Sequence, residues 1–188
     1  MAITGGIGAG KSEALKAFAR GGAEVASSDA IVHRLLREDE EVHAALRARW
    51  GSRVLGTDGA DRGAIAAIVF SDSDELAWLE GLLHPKVVRE YTVWRDELAA
   101  AEDPPKALAV EIPLLYETGA EQRFDAVVVV TAPADLRASR GNVREDARER
   151  RLIPDEEKVA RADFAYVNDG SLEELDAFVA DVLARLTP

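Results

Sequence analysis

"TGGIGAGKSE", residues Thr4–Glu13, stands almost at the start of the chain and decides how the rest is read. Gly5-Gly6-Ile7-Gly8-Ala9-Gly10-Lys11-Ser12 satisfies the pattern G-x-x-x-x-G-K-[ST]. Glycines at these positions let backbone N–H groups converge on phosphate oxygens without Cβ interference, and a helix opening at Lys11 adds its positive end. In that arrangement Lys11 reaches the β and γ phosphates, and the Ser12 hydroxyl enters a Mg²⁺ shell. Average composition gives a chance match about once in a hundred chains of this length. The alternative is an ordinary Gly-rich turn between a strand and a helix. The stretch therefore reads as a nucleoside-triphosphate site, with Gly6, Gly8, Ala9, Gly10, Lys11, Ser12 and Glu13 around the phosphates.

Working outward, Ala2-Ile3-Thr4 is a short strand that runs into the loop. Ala14, Leu15 and Phe18 mark a helix that Gly21-Gly22 ends. Ala23–Ser27 reads as a second strand, with Asp29 just past its carboxyl end. From Ile31 to about Leu98 the spacing is helical, as in Val87, Tyr91, Trp94 and Leu98. Breaks are expected over 51–63, near Ser71, where Asp72-x-x-Glu75 has the form of a capping box, and at His84-Pro85. Ala107–Ile112 and Ala126–Thr131 are continuous apolar runs, as buried parallel strands show. Pro133 opens a helix through about Arg140, residues 141–158 are strongly charged, and "ADFAYVND" (162–169) supplies a last strand. Ser171-x-x-Glu174 then caps a final helix. Strands alternating with helices indicate an α/β fold: a parallel five-stranded sheet with helices on both faces.

Composition bounds the partners. A net charge of −12 and a pI near 4.7 argue against general nucleic-acid binding. No apolar run approaches the length of a membrane span, and no signal peptide is visible. Zero cysteines exclude a disulfide framework, a thiol nucleophile and a thiolate metal site. A cytoplasmic protein, monomeric or weakly homo-oligomeric, is the expectation.

A guanine reader of the Asn-Lys-x-Asp type is absent from the sequence. The nearest analogue of the second acidic motif of motor and transport ATPases is Ala107-Leu108-Ala109-Val110-Glu111. A small-molecule kinase needs a base near the γ-phosphate, an acceptor pocket and arginines over the transition state. Asp29, on the rim where open α/β sheets bind ligands, could accept the proton of an attacking hydroxyl. It could equally be the N-cap of a helix beginning at Ala30. His84 alone reads as a helix-terminal histidine with Pro85 at N1, Leu114 and Leu115 as core, and Asn168 as the start of an Asx-turn.

Gly5–Ser12, Ser28-Asp29-Ala30-Ile31-Val32, Leu82-Leu83-His84-Pro85, Pro113-Leu114-Leu115-Tyr116-Glu117 and Ala162-Asp163-Phe164 with Asn168 and Gly170 occur in this order. Together, over nearly the whole chain, they resemble the bacterial dephospho-coenzyme A kinases; "VFSDSDELAWLEGLLHP" (69–85) and "IPLLYETG" (112–119) are the most diagnostic stretches. The resemblance implies transfer of the ATP γ-phosphoryl group to the 3′-hydroxyl of dephospho-CoA, with Mg²⁺. It implies an adenylate-kinase-like P-loop NTPase core over 1–30, 105–140 and 159–188, a helical acceptor domain over 31–104 and a short lid over 141–158. It makes Asp29 the base and an acceptor contact, and assigns acceptor binding to His84, Pro113, Leu114 and Leu115. Adenine falls near Asn168, and Arg140 and Arg148 cover the phosphates. Three departures are visible. Ser27-Ser28-Asp29 keeps only the second acid of the usual Asp-Ala-Asp, Glu13 stands where Ser or Thr is usual, and the lid is several residues short and lacks its glutamine. Arg144, Arg150 and Arg151 fit a solvated helix laced with ion pairs. A kinase of another nucleoside or small alcohol, and a catalytically weak nucleotide-binding regulatory relative, are the alternatives.

Overall fold

The computed structural model describes residues 1–140 and 152–187. In chain order the elements are β1 (Ala2–Gly5), α1 (Lys11–Arg20), β2 (Glu24–Ser27), α2 (Ser28–Glu38), α3 (Glu40–Trp50), β3 (Leu55–Gly56), β4 (Gly59–Ala60), α4 (Arg62–Val69) and α5 (Ser73–Ala99). There follow β5 (Leu108–Glu111), β6 (Val127–Thr131), α6 (Ala134–Arg140), α7 (Asp155–Ala160), β7 (Phe164–Val167) and α8 (Leu172–Leu186). The chain divides into two compact units, one of Met1–Ser27 with Glu97–Pro188, the other Ser28–Asp96. Among the described residues, no helix is long and apolar enough to cross a membrane.

The first unit is built on a five-stranded sheet in the order β2-β5-β1-β6-β7, with every pairing parallel. Although only four residues long, β1 is the central strand and is buried throughout. It is held on both edges, with Ala2 opposite Val110 on one side and Val127 on the other. Successive side chains of a strand point to opposite faces, and the two cores follow that alternation. Ile3, Val128 and Val130 meet Phe18 and Ala17 of α1 and Leu175, Val179 and Val182 of α8. Ala2, Val127 and Val129 meet Leu115, Tyr116, Phe124 and Ile153. Helix α1 stops at Gly21, whose N–H returns to the Ala17 carbonyl, and α8 starts in the capping box formed by Ser171 and Glu174. Because β1 lies at the sheet centre, the Gly-rich loop leaves from the middle of the carboxyl edge, where such sheets bind ligands.

The second unit is helical and carries the small antiparallel β3–β4 ribbon. Asp39 caps α3 by accepting from Val42 N and also binds Lys86 of α5, 3.0 Å away. Two expectations fail here. The break at His84-Pro85 does not occur, for α5 runs through Pro85 over 27 residues. Its stripe of Leu79, Leu83, Val87 and Tyr91 is buried on both sides of the proline, and that packing outweighs the lost hydrogen bond. The residue whose carbonyl Pro85 would crowd, four positions earlier, is Gly81. The Asp72–Glu75 capping box also fails. Asp72 does accept from the N–H groups of Asp74 and Glu75, but the Glu75 carboxylate turns to Arg49 and the Trp50 indole instead.

Candidate active site

In the first unit the loop between β1 and α1 folds back on itself. The carbonyl of Gly6 accepts from Ala9 N at 3.3 Å and from Lys11 Nζ at 2.9 Å, so the lysine lies across the loop. Gly10 is the N-cap of α1 at φ +95° and ψ 24°, and no side chain caps this end. Amides at an uncapped helix start are the arrangement that receives an anion.

The cradle is closed from the far end of the chain. Just past β7, Asn168 donates its side-chain amide to the Ala9 carbonyl at 2.9 Å, and its own N–H to Thr131 O at 2.7 Å. A Cβ on Gly10 would come within 2.0 Å of Asn168 Nδ2, so both space and backbone angle demand glycine there. Arg140, the last residue of α6, donates from Nη1 to the Asn168 carbonyl at 3.1 Å. The Asx-turn reading of Asn168 gives way to this long-range contact.

Glu111 ends β5, the neighbour of β1, and is only 6% exposed. Its Oε1 lies 3.4 Å from Ser12 Oγ, which puts a carboxylate beside the hydroxyl expected in a cation shell. The sequence signal was the acid closing an apolar run; the pairing with Ser12 comes from β5 lying next to β1. Glu13 is engaged elsewhere. Its carboxylate bonds Lys16 and Arg20, which hold it below the ordinary glutamate value, Lys16 contributing most. The Glu13 side chain is thus neutralised along α1 by cations of its own helix.

Past β5, Pro113 accepts from the Thr4 hydroxyl at 3.3 Å, and Leu114 is half-buried. Leu115 is fully enclosed in the core. Glu117 Oε1 accepts from Ile153 N at 3.0 Å and lies 2.7 Å from Lys158 Nζ. Lys158 is fully buried. The close approach lies off the hydrogen-bond direction, leaving Lys158 Nζ and Glu117 Oε2 without a hydrogen-bond partner among the described residues. Arg161 lies over the Tyr116 ring at 4.3 Å, and burial raises the Tyr116 hydroxyl above its ordinary pKa. A further ion pair, Arg137 with Asp155, sits against Gly6. Sequence reading passed over both pairs.

The other residues expected at the site belong to the second unit or fall outside the described residues. Helix α2 begins at Ser28, so Asp29 is in the first turn and exposed, not the N-cap of a helix starting at Ala30. β2 ends at Ser27, in register with Glu111, and the chain passes directly into α2. His84 is exposed in the middle of α5 instead of terminating a helix. Arg148, with Arg144, Arg150 and Arg151, lies outside the described residues.

Comparison with known proteins adds three findings. The family model described as dephospho-CoA kinase matches residues 1–174. A dephospho-CoA kinase of Chlorobaculum tepidum is 38% identical over 197 residues, covering 99% of this chain and 94% of the relative, and one of Thermus thermophilus is 39% identical over 194 residues, covering 100% and 91%. Among solved structures, TT1252 from Thermus thermophilus superposes with a TM-score of 0.79 at 38% identity, covering 100% of this chain and 97% of that one. The dephospho-CoA kinase from Campylobacter jejuni gives 0.73 at 25% identity, covering 99% and 96%.

Proposed function

Because the chain belongs to the dephospho-CoA kinase family, an enzyme family, we propose that it transfers the γ-phosphoryl group of ATP to the 3′-hydroxyl of dephospho-CoA in the following way. The observation that carries the reading is the convergence at the carboxyl edge of β1. There Lys11 lies across the loop, Asn168 is bound to Ala9, and Glu111 stands beside Ser12.

The loop amides and the start of α1 bind the triphosphate, and Lys11 exchanges the Gly6 carbonyl for phosphate oxygens as charge builds on the transferring group. Asn168 and Arg140 form the nucleotide edge of the site, and Arg140 with Arg148 covers the phosphates and excludes water. Asp29 orients the acceptor hydroxyl and takes its proton. The helical unit, with His84, and the Pro113–Leu114 segment receive dephospho-CoA. The Ser12 hydroxyl and the buried Glu111 carboxylate are hard oxygen donors of the kind Mg²⁺ takes alongside substrate phosphates, so the residues present fit that ion. When bound, Mg²⁺ would neutralise phosphate charge and fix the reacting oxygens in place.

The test follows CoA and ADP together in the presence of ATP, Mg²⁺ and dephospho-CoA. Equal formation of both, abolished in Asp29→Asn with ATP binding retained, is the expected result. ADP released with another hydroxyl acceptor but not with dephospho-CoA would overturn the substrate, and full activity in Asp29→Asn would overturn the base.

A further inference from the structure

Gly6 is buried, yet its backbone is not in the left-handed region, so conformational freedom does not account for a glycine there. Space does. A Cβ at this position would meet Arg137 Nη1 at 2.8 Å and both carboxylate oxygens of Asp155 at 3.0 Å. These two side chains form an ion pair at 3.3 Å, one from α6 and the other from the first residue of α7. The contact continues along the loop. A Cβ on Gly8 would meet the Arg137 carbonyl at 3.1 Å, and one turn later Arg140 bonds the Asn168 carbonyl. The peptide under the pair matters as well, because the Gly6 carbonyl is the acceptor for Lys11 Nζ.

We propose that Arg137 and Asp155 are positioning residues for the phosphate donor: their ion pair, packed on Gly6, holds the peptide that receives Lys11 and with it the phosphate-binding shape of the loop. The inference rests on the reading of this loop as the ATP site. It also explains why Gly6 tolerates no side chain while the pair is closed. The groups a Cβ would strike are the ends of flexible side chains, so an alanine at position 6 is accommodated by opening the pair.

Equilibrium binding of Mg-ATP to the full-length chain tests this, with the melting temperature of the ligand-free protein measured in parallel. Arg137→Met and Asp155→Asn should each weaken ATP binding by about twofold to fivefold, the range of one partly exposed ion pair. Arg137→Lys, which keeps the charge, should recover most of the affinity. Gly6→Ala should weaken binding too, and adding Arg137→Met to it should cost little more, because both changes remove the same contact. ATP affinities of Arg137→Met and Asp155→Asn equal to wild type overturn the inference. So does a loss that follows the ligand-free melting temperature and is not recovered by Arg137→Lys, since that marks a purely structural pair. A wild-type chain that binds no ATP sinks the reading of the loop, and this inference with it. Normal wild-type binding with an unimpaired Arg137→Met sinks the inference alone.

Discussion

Asn168 Nδ2 donates to the carbonyl of Ala9 across 159 residues of sequence, tying the end of β7 to the middle of the phosphate loop. The contact leaves no room for a Cβ on Gly10, and Gly10 in turn starts α1. A neutral hydrogen bond of this kind contributes about 1 kcal/mol. Asn168→Asp keeps the shape but sets a carboxylate oxygen against the Ala9 carbonyl. It should weaken ATP binding by about fivefold to tenfold, with a smaller effect on the saturated turnover rate. Titration of the folded variant with ATP checks this, and unchanged affinity would show that the loop holds its shape without Asn168.

The buried pair of Glu117 and Lys158 leads to an asymmetric prediction for stability. Lys158 is fully buried, and its Nζ has Glu117 Oε1 at 2.7 Å. Removing one partner leaves the other charge buried and uncompensated, at a cost of about 3–5 kcal/mol. Lys158→Met alone should therefore destabilise severely in urea denaturation. The double change with Glu117→Gln should recover most of that loss, because the Gln oxygen can still accept from Ile153 N. A double variant as unstable as Lys158→Met alone would mean that the loss comes from packing and not from charge.

Much of this architecture is legible along the chain because its signals are local. Residues 127–130 and 108–110 are apolar on both faces, as strands covered by helices on both sides must be. Ser171 and Glu174 satisfy each other within one turn, so their box can be read from four residues. Asp72 and Glu75 have the same spacing, but Arg49 and Trp50 bring stronger partners to Glu75 from 25 residues away and more. Pro85 reads as a stop because the rule for proline is local, whereas the stripe that carries α5 through it is tertiary. The site divides in the same way. Gly5–Ser12 is contiguous and readable. The Arg137–Asp155 and Lys158–Glu117 pairs join residues 18 and more apart whose neighbours suggest only a charged surface.

Asp39 gives the helical unit a pH dependence at acid. Burial works against its charge, but the Val42 N–H and the Lys86 ammonium together hold its carboxyl below the ordinary aspartate value of about 3.9. A group depressed on folding contributes stability that is fully present above its unfolded pKa. That contribution is lost as pH falls through the folded value. Lys86 is shifted the other way, upward, by Glu41 first and then Asp39, so its share is intact at neutral pH and lost only in strong alkali. Asp39→Asn should keep much of the cap, lose about 0.5–1 kcal/mol near pH 7, and flatten the decline of stability below about pH 4. Denaturation midpoints at pH 7 and pH 3 check this. A difference between wild type and variant that is the same at both values would show that the Asp39 charge plays no part.

Glu111 offers the sharpest test of how the site handles the phosphates' charge. It is the one acid at the carboxyl end of β5, buried, with Oε1 3.4 Å from Ser12 Oγ, and β5 pairs directly with the strand that feeds the loop. If the two oxygens share a Mg²⁺ shell, Glu111→Gln removes charge while keeping size and one oxygen. The variant should then need more Mg²⁺ for half-maximal activity, by about tenfold to a hundredfold, the usual consequence of altering groups that hold or orient a metal's ligands. Ser12→Ala should move the requirement in the same direction, and the double variant should fall short of the sum, because both act on one ion. Binding of metal-free ATP should change little, since the amides and Lys11 are untouched. A Mg²⁺ requirement that stays at the wild-type value in Glu111→Gln, with turnover reduced, would assign the carboxylate to orienting the Ser12 hydroxyl in place of the ion.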